Sequence, residues 1–327
     1  MPALLEIRGL TAGLQGRRAI TPVVSDVELD VQPGEILGVV GESGCGKSTL
    51  ATAIMRLLVA PQVLQSGSAT LRLADDESYD LLSVSENDLR QLRWRHLSYI
   101  PQGSMNSLNP VLRVERQMTD ALLQRGLSKK EATDRAIAAL ELVSLEARLL
   151  DSYPHELSGG MRQRVIIAAA VSMHPTLIVA DEITTALDVV TQRQILQELA
   201  AIRDELGATI IIITHDMGVV AQIADRVAVM YAGKIVEVGS VSDIFQQPLH
   251  PYSQGLIASI PRESGQRVEG LPGEAPSPWN YPAGCRFHPR CPQVFGRCHE
   301  QAPALQPHAT DRWAACHLYD PETATDE

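Results

Sequence analysis

Aromatic residues are scarce: Phe, Trp and Tyr make up 4% of the 327 residues, and none stands before Tyr79. So few rings exclude the stacking platforms that hold single-stranded nucleic acids. Positive charge is also short, with 28 Lys and Arg against 39 Asp and Glu and a net charge of −11. A grip on a phosphate backbone needs clustered Lys and Arg, so no nucleic-acid partner is expected. Long apolar runs are missing too. The most apolar window, VIIAAAVSMHPTLIVADE, is broken by His174 and Pro175 and ends in carboxylates. A spanning helix needs about 20 apolar residues. The opening MPALLEIRGL has no basic stretch ahead of an apolar one, so no secretory signal is expected. These absences predict a cytoplasmic chain that works at a membrane only through membrane-embedded partners.

Hydrophobic content of 45% and charged content of 20% suit a soluble globular protein. The length predicts one large domain with an addition, or two domains. Short strands are predicted in LLEIRGL, VVSDVELDV and EILGVV, the last after the turn signal Pro33-Gly34. A helix is expected from Ser48, with Leu50, Ile54, Leu57 and Leu58 at helical spacing. Residues 60–95, rich in Ser and Asp, read as loop and edge strand, and LSYIP as a brief strand. Residues 111–150 read as helical. TLIVA, ATIIII and RVAVMY read as buried strands alternating with helices at 190–205 and 216–224, the pattern of a parallel sheet covered on both faces. VAVMY-AG-KIVEVG reads as a hairpin turning at Ala232-Gly233. Beyond residue 247, repeated prolines break any long element, and the tail PETATDE is expected to be disordered.

The strongest chemical signal is Gly41-Glu-Ser-Gly-Cys-Gly46-Lys47-Ser48-Thr49, which fits G-x-x-x-x-G-K-[ST] between a strand and a helix. Its glycines let successive N–H groups turn toward phosphate oxygens, and the helix N-terminus adds partial positive charge. The candidate ATP contacts are Gly41, Ser43, Gly44, Cys45, Gly46, Lys47, Ser48 and Thr49. Lys47 is expected on the β- and γ-phosphates, with the Ser48 hydroxyl on Mg2+. A second signal is LIVADE, a strand ending in Asp181 and Glu182. Asp181 suits Mg2+, and Glu182 suits a base that activates water. A third is LSGGMRQR, where Ser158, Gly159 and Gly160 open a helix as another anion-binding turn. One nucleotide does not need two such cradles on one chain, whereas two chains facing head to tail do.

These motifs, with Gln102 in YIPQG, Asp188 in TTALD and His215 in IIITHD, stand in the order of the ATP-binding cassette (ABC) ATPases, which residues 1–250 resemble. The resemblance implies an α/β P-loop fold with an antiparallel β subdomain and a helical signature subdomain at about 103–160. It implies ATP hydrolysis with Glu182 and His215 as catalytic residues and Mg2+ held by Ser48, Gln102 and Asp181. It further implies contact of Ser158, Gly159 and Gly160 with a partner's ATP, and Asp188 at the dimer interface. GSMNSLNPVLRV, GGMRQRVIIAAAV and MYAGKIVEVGSVSDIFQQPLHPYSQGLIASIP resemble the peptide/nickel-type importer ATPases. LPGEAPSPWNYPAGCRFHPRCPQVFGRC resembles the C-terminal extension of their oligopeptide and dipeptide members, expected here over 251–320 and followed by a tail at 321–327. The implied partners are a second, non-identical ATPase subunit, two transmembrane permeases and an extracytoplasmic binding protein, at the cytoplasmic face of the membrane. Substrates in the same group extend to nickel, opines and oligosaccharides. A soluble, non-transport cassette fits the short 110–155 segment and acidic charge less well, and a non-hydrolytic metal-sensing regulator fits the complete catalytic set less well.

Two positions depart from the family pattern. Leu14 stands where an aromatic usually stacks on adenine, which predicts either a weaker grip on adenine or stacking by Arg17 or Arg18, and Ile183 replaces the usual Pro after Glu182. Four of the five cysteines, Cys285, Cys291, Cys298 and Cys316, lie in the last quarter. Their spacing lacks a C-x-x-C zinc pair, so buried thiols and a metal site both remain open on spacing alone. His288, His299 and His317 lie close enough in sequence for a mixed zinc site. The family resemblance implies a [4Fe–4S] cluster on the four cysteines, with Zn2+ as the alternative.

Overall fold

The computed structural model describes residues 2–17, 19–73, 77–93, 95–185, 187–260 and 270–320. Arg18 and the tail at 321–327 lie outside the described residues. Strands β1 (Leu5–Gln15), β2 (Ile20–Val31) and β3 (Ile36–Val40) lead into α1 (Lys47–Ile54). Next come β4 (Gln62–Arg72), β5 (Ser78–Asp80), α2 (Glu86–Leu92) and β6 (Leu97–Ile100), then α3 (Val114–Gln124), α4 (Lys129–Leu142) and α5 (Gly159–Val171). Strand β7 (Leu177–Asp181), α6 (Val189–Leu206), β8 (Thr209–Thr214), α7 (Met217–Ile223), β9 (Arg226–Tyr231) and β10 (Lys234–Ser240) complete the alternating region. The remainder holds α8 (Val241–Gln246), α9 (Pro251–Ala258), α10 (Gly296–Glu300), β11 (Gln306–Ala309) and β12 (Arg312–Ala314).

The chain divides into two compact units. The first comprises Met1–Gln32, Leu37–Ser83 and Ile213–Glu327. One of its sheets has the order β2-β1-β4-β5, all antiparallel, with Leu5 opposite both Val31 and Leu71. Leu5, Ile7 and Leu10 of β1 are fully buried. A second set of strands runs β11-β12-β10-β9-β3. Here β3 pairs parallel with β9, and β10 pairs antiparallel with β9 and β12. The β9–β10 turn lies at Ala232 and Gly233, with φ of 45° and 82°. Positive φ at both central residues matches the strand twist, which is why a two-residue turn closes this hairpin. Tyr231, Tyr252 and Phe287 form its aromatic core, with centroids 4.5 to 5.5 Å apart.

The second unit comprises Pro33–Ile36 and Val84–Ile212. Strands β8, β7 and β6 are neighbours in that order, with β6 parallel to β7 and Leu97 opposite Leu177. Every residue of β7 and β8 is buried, as expected of strands covered on both faces. Helix α4 begins in a capping box: Ser128 accepts from the Glu131 N–H while Glu131 accepts from the Ser128 N–H.

Three sequence expectations change. Helix α1 stops at Ile54, because Arg56 takes φ of 50°, so Leu57 and Leu58 fall beyond it. The 60–95 stretch contains an eleven-residue interior strand, β4, instead of loop and edge strand alone. Apolar burial is confined to Ala69 and Leu71, while Leu64, Gln65, Ser66 and Gly67 are exposed, so the hydrophobic alternation of a strand is missing over most of its length. The C-terminal extension adds ordered strands where an irregular segment was expected: β12 joins the sheet through Glu237 opposite Ala314 and Val238 opposite Trp313.

Candidate functional site

In the first unit, the loop from β3 to α1 is shaped by glycines. Gly41, Gly44 and Gly46 have φ of 155°, 81° and 107°. A Cβ at Gly41 would stand 2.1 Å from the carbonyl oxygen of Met230, so no other residue fits there. Lys47 is buried, and its ammonium donates to the carbonyls of Gly41 (2.8 Å) and Glu42 (3.0 Å). Ser43, Gly44 and Ser48 are exposed, while Cys45 and Thr49 are buried. Burial pushes the Cys45 thiol up, against the pull of the nearby Lys47 charge. The N-terminus of α1 has no side-chain cap and no acidic residue in its first turn, so the positive end of its dipole is not offset there. His215 is exposed at the end of β8, just before Asp216 caps α7 by accepting from the Gly218 N–H at 2.8 Å.

In the second unit, Asp181 ends β7 and is 1% exposed. Its Oδ2 accepts from the Tyr99 hydroxyl at 3.2 Å, and burial followed by the Asp181 charge pushes that hydroxyl up. Glu182 holds φ of 46°, a left-handed conformation that costs a non-glycine residue of order 1–3 kcal/mol and marks functional turns. Gln102 donates from Nε2 to Glu182 Oε2 at 2.6 Å, so two of the expected residues meet directly. Ile183 is 4% exposed, so the departure from Pro puts an apolar side chain into the core.

The signature residues sit at the start of α5. Ser158 caps it, its hydroxyl accepting from the Met161 N–H at 3.2 Å. A Cβ at Gly160 would lie 2.7 Å from Thr191 Cγ2, so the glycine permits close approach of α6. Asp188 caps α6, accepting from the N–H groups of Val190 and Thr191 and from the Thr191 hydroxyl, and these bonds hold its carboxyl below the usual range.

In the extension, Cys285, Cys291, Cys298 and Cys316 are all free thiols lining one cavity with Phe287 and His288. Burial pushes the thiols of Cys285, Cys291 and Cys316 up, the last to about 12, and the neighbouring thiols add to the effect. Among the described residues no group of three or more His, Cys, Asp or Glu is arranged to hold a metal ion, so the side-chain placement gives the expected cluster no support. His317 is also committed elsewhere, with Nδ1 2.7 Å from Asp320 Oδ2 and Nε2 2.9 Å from the Gln301 carbonyl.

Comparison with known proteins decides the family. Residues 24–185 match the model described as ABC transporter, and residues 236–298 match the one described as oligopeptide/dipeptide transporter, C-terminal region. The oligopeptide transport ATP-binding protein AppD of Bacillus subtilis is 42% identical over 330 residues, covering 99% of each chain. The chain belongs to the ABC transporter family. The oligopeptide transport ATP-binding protein OppD of Salmonella typhimurium is 43% identical, covering 96% of this chain and 93% of its own. Among solved structures, a dimeric ATP-binding cassette in a post-hydrolysis state with ADP and Pi is 26% identical, with a TM-score of 0.63 over 72% of this chain and 98% of its own. CbiO1 of Clostridium perfringens is 28% identical, with a TM-score of 0.65 over 76% of this chain and 92% of its own.

The chain is therefore an ABC ATPase, whose reaction is ATP hydrolysis coupled to transport. Among the described residues, no helix is long and apolar enough to cross a membrane. Three contacts of this ATPase escape the motif pattern. Glu42, a variable position of the P-loop, is bound by Arg290 and Tyr252 from the far end of the chain. Arg290 stands beside Cys291 in a segment read through its cysteines and its likeness to the importer extension, and neither links it to the loop.

Proposed function

We propose that this ABC ATPase powers the import of oligopeptides or dipeptides, docked at the cytoplasmic face of a membrane on two permease subunits fed by an extracytoplasmic binding protein. The observation that carries this reading is similarity along the whole chain, C-terminal region included, to ATP-binding proteins named for oligopeptide transport. The 1–250 ATPase region and the 251–320 extension are read as its two functional parts, with a second, non-identical ATPase subunit as partner.

In this reading the P-loop from Gly41 to Thr49 cradles the phosphates of ATP, and Mg2+ is held by Ser48, Asp181 and Gln102. Glu182 takes the proton of the attacking water, and Gln102, already bonded to it, registers the metal-bound phosphate. His215 steadies the γ-phosphate. Ser158, Gly159 and Gly160 reach the partner's nucleotide, and Asp188 stiffens the turn at the interface. Leu14 lies half-buried in β1 and Arg17 is exposed, which keeps Arg17, together with Arg18, as a group to cover adenine. The four thiols supply the donor set for a [4Fe–4S] cluster, with Zn2+ as the alternative. Their side chains as placed do not close on a metal, so no step of the reaction is routed through one. Anaerobically purified chain should carry iron that Cys291→Ser releases, and iron-free protein removes the cluster from the reading.

The decisive experiment reconstitutes the transporter in liposomes and replaces Glu182 by Gln. Loss of a general base lowers turnover by about 100-fold or more, while ATP stays bound. Peptide uptake should fall in parallel. Undiminished hydrolysis with the partner's site also disabled rejects the assignment of Glu182. ATP-driven uptake of another solute but no peptide rejects the substrate class.

A further inference from the structure

In the first unit the P-loop is clamped from outside its own motif. The Arg290 guanidinium grips Glu42 in a two-pronged bond, Nη1 to Oε2 at 2.8 Å and Nη2 to Oε1 at 2.9 Å. Two further donors are fixed, Nε on the Pro272 carbonyl at 2.8 Å and Nη1 on the Tyr231 hydroxyl at 3.3 Å. The Arg290 side chain is 7% exposed and that of Glu42 26%, so the pair is largely withdrawn from water. The Glu42 N–H donates to the Tyr252 hydroxyl at 2.9 Å, and its carbonyl accepts from Lys47. One loop residue is thus held at carboxylate, N–H and carbonyl.

A second arm reaches the same loop. Arg286 donates to the Ala232 carbonyl and, at 2.9 Å, to the Ser25 hydroxyl. The adjoining Gly233 N–H donates to the Cys45 carbonyl at 2.8 Å. Both arginines border the thiol cavity in sequence, Arg286 following Cys285 and Arg290 preceding Cys291.

We propose that Arg290 is a positioning residue for the nucleotide: it cancels the Glu42 charge on a loop that must accept a polyanion, and so couples ATP affinity to the cysteine-bearing extension. The proposal rests on the reading of this loop as the ATP cradle. A bidentate, partly desolvated arginine–carboxylate pair is both strong and geometrically exacting. Without Arg290, an uncompensated carboxylate stands on the loop that receives the phosphates. ATP carries one more negative charge than ADP, so ATP binding suffers more, and salt that screens the repulsion narrows the difference.

The test measures binding of MgATP and MgADP to the full chain. Wild type and Lys47→Ala come first: absence of ATP binding by wild type overturns the cradle reading itself, separately from the role of Arg290. Given binding, Arg290→Ala should weaken ATP by about tenfold, the usual scale for one lost charged hydrogen-bonded contact. ADP should weaken less, and the gap should shrink in high salt. Adding Glu42→Gln to Arg290→Ala should restore most ATP affinity, an outcome that a merely structural arginine does not give. Equal ATP affinity in Arg290→Ala and wild type, or a double variant no better than the single, overturns the proposal. If Arg290→Ala does not fold, Arg290→Lys serves: it keeps the charge but loses the fork, and an ATP affinity identical to wild type counts against the proposal.

Discussion

His250 is 2% exposed and caps α9, its Nδ1 accepting from the Tyr252 N–H at 3.0 Å. Burial lowers its pKa from 6.5 to about 3. The unfolded chain therefore takes up a proton below pH 6.5 that the folded chain refuses until about pH 3. Stability from this group is present above pH 6.5 and lost as pH falls, with a limiting slope of about 1.4 kcal/mol per pH unit. His250→Asn keeps a cap acceptor without titrating, so its denaturation midpoint should fall less than wild type between pH 6.5 and 5. Glu198 acts in the opposite sense. Burial raises its pKa from 4.5 to about 7 against the pull of Arg164, so its contribution is full below pH 4.5 and lost as pH rises through 7. Glu198→Gln should flatten that loss in the same denaturation series. At Gly41 the constraint is steric. Gly41→Ala adds a Cβ 2.1 Å from a backbone carbonyl at φ of 155°, which should cost at least the roughly 1–3 kcal/mol of a strained residue. The same variant should bind ATP measurably more weakly in a direct titration.

Elements that carry their own signal are legible in the sequence. The capping box of α4 is written in Ser128 and Glu131, three residues apart. Ser128→Ala should cost about 1 kcal/mol in a denaturant titration. The β9–β10 hairpin is legible because Gly233 accepts positive φ between two apolar runs, and β7 and β8 because they are almost continuously apolar. Strand β4 is not, since its polar face reaches water over most of its length and it is held by pairing with β1, where a Cβ on Gly67 would stand 2.5 Å from Leu10 Cα. The site divides along the same line. The glycines of the β3–α1 loop, Lys47, Asp181 and Glu182 occupy fixed spacings over short stretches of chain. Arg290 reaches Glu42 across 248 residues, and no local pattern encodes a partner so far away.

At the scale of the whole molecule, the arrangement within each unit bears on assembly. In the first unit, Ser43, Gly44 and Ser48 of the phosphate loop face solvent; in the second, so does Ser158. An exposed helix N-terminus is a ready place for an anion. On the proposed pairing with a second ATPase subunit, Ser158 closes the nucleotide site of the partner, and ATP is the bridge between them. Ser158→Arg leaves the phosphate loop untouched, so ATP affinity of the isolated chain should equal that of wild type. The bulky cation should block closure over the partner's nucleotide, and hydrolysis by the assembled transporter should fall by at least about tenfold, since a misplaced contact of this kind disturbs alignment at the reacting phosphate. Light scattering with MgATP and a Glu182→Gln background should show association for the parent and none for the Ser158→Arg version. Equal association in both would place Ser158 outside the interface and leave the helix cap as its whole role.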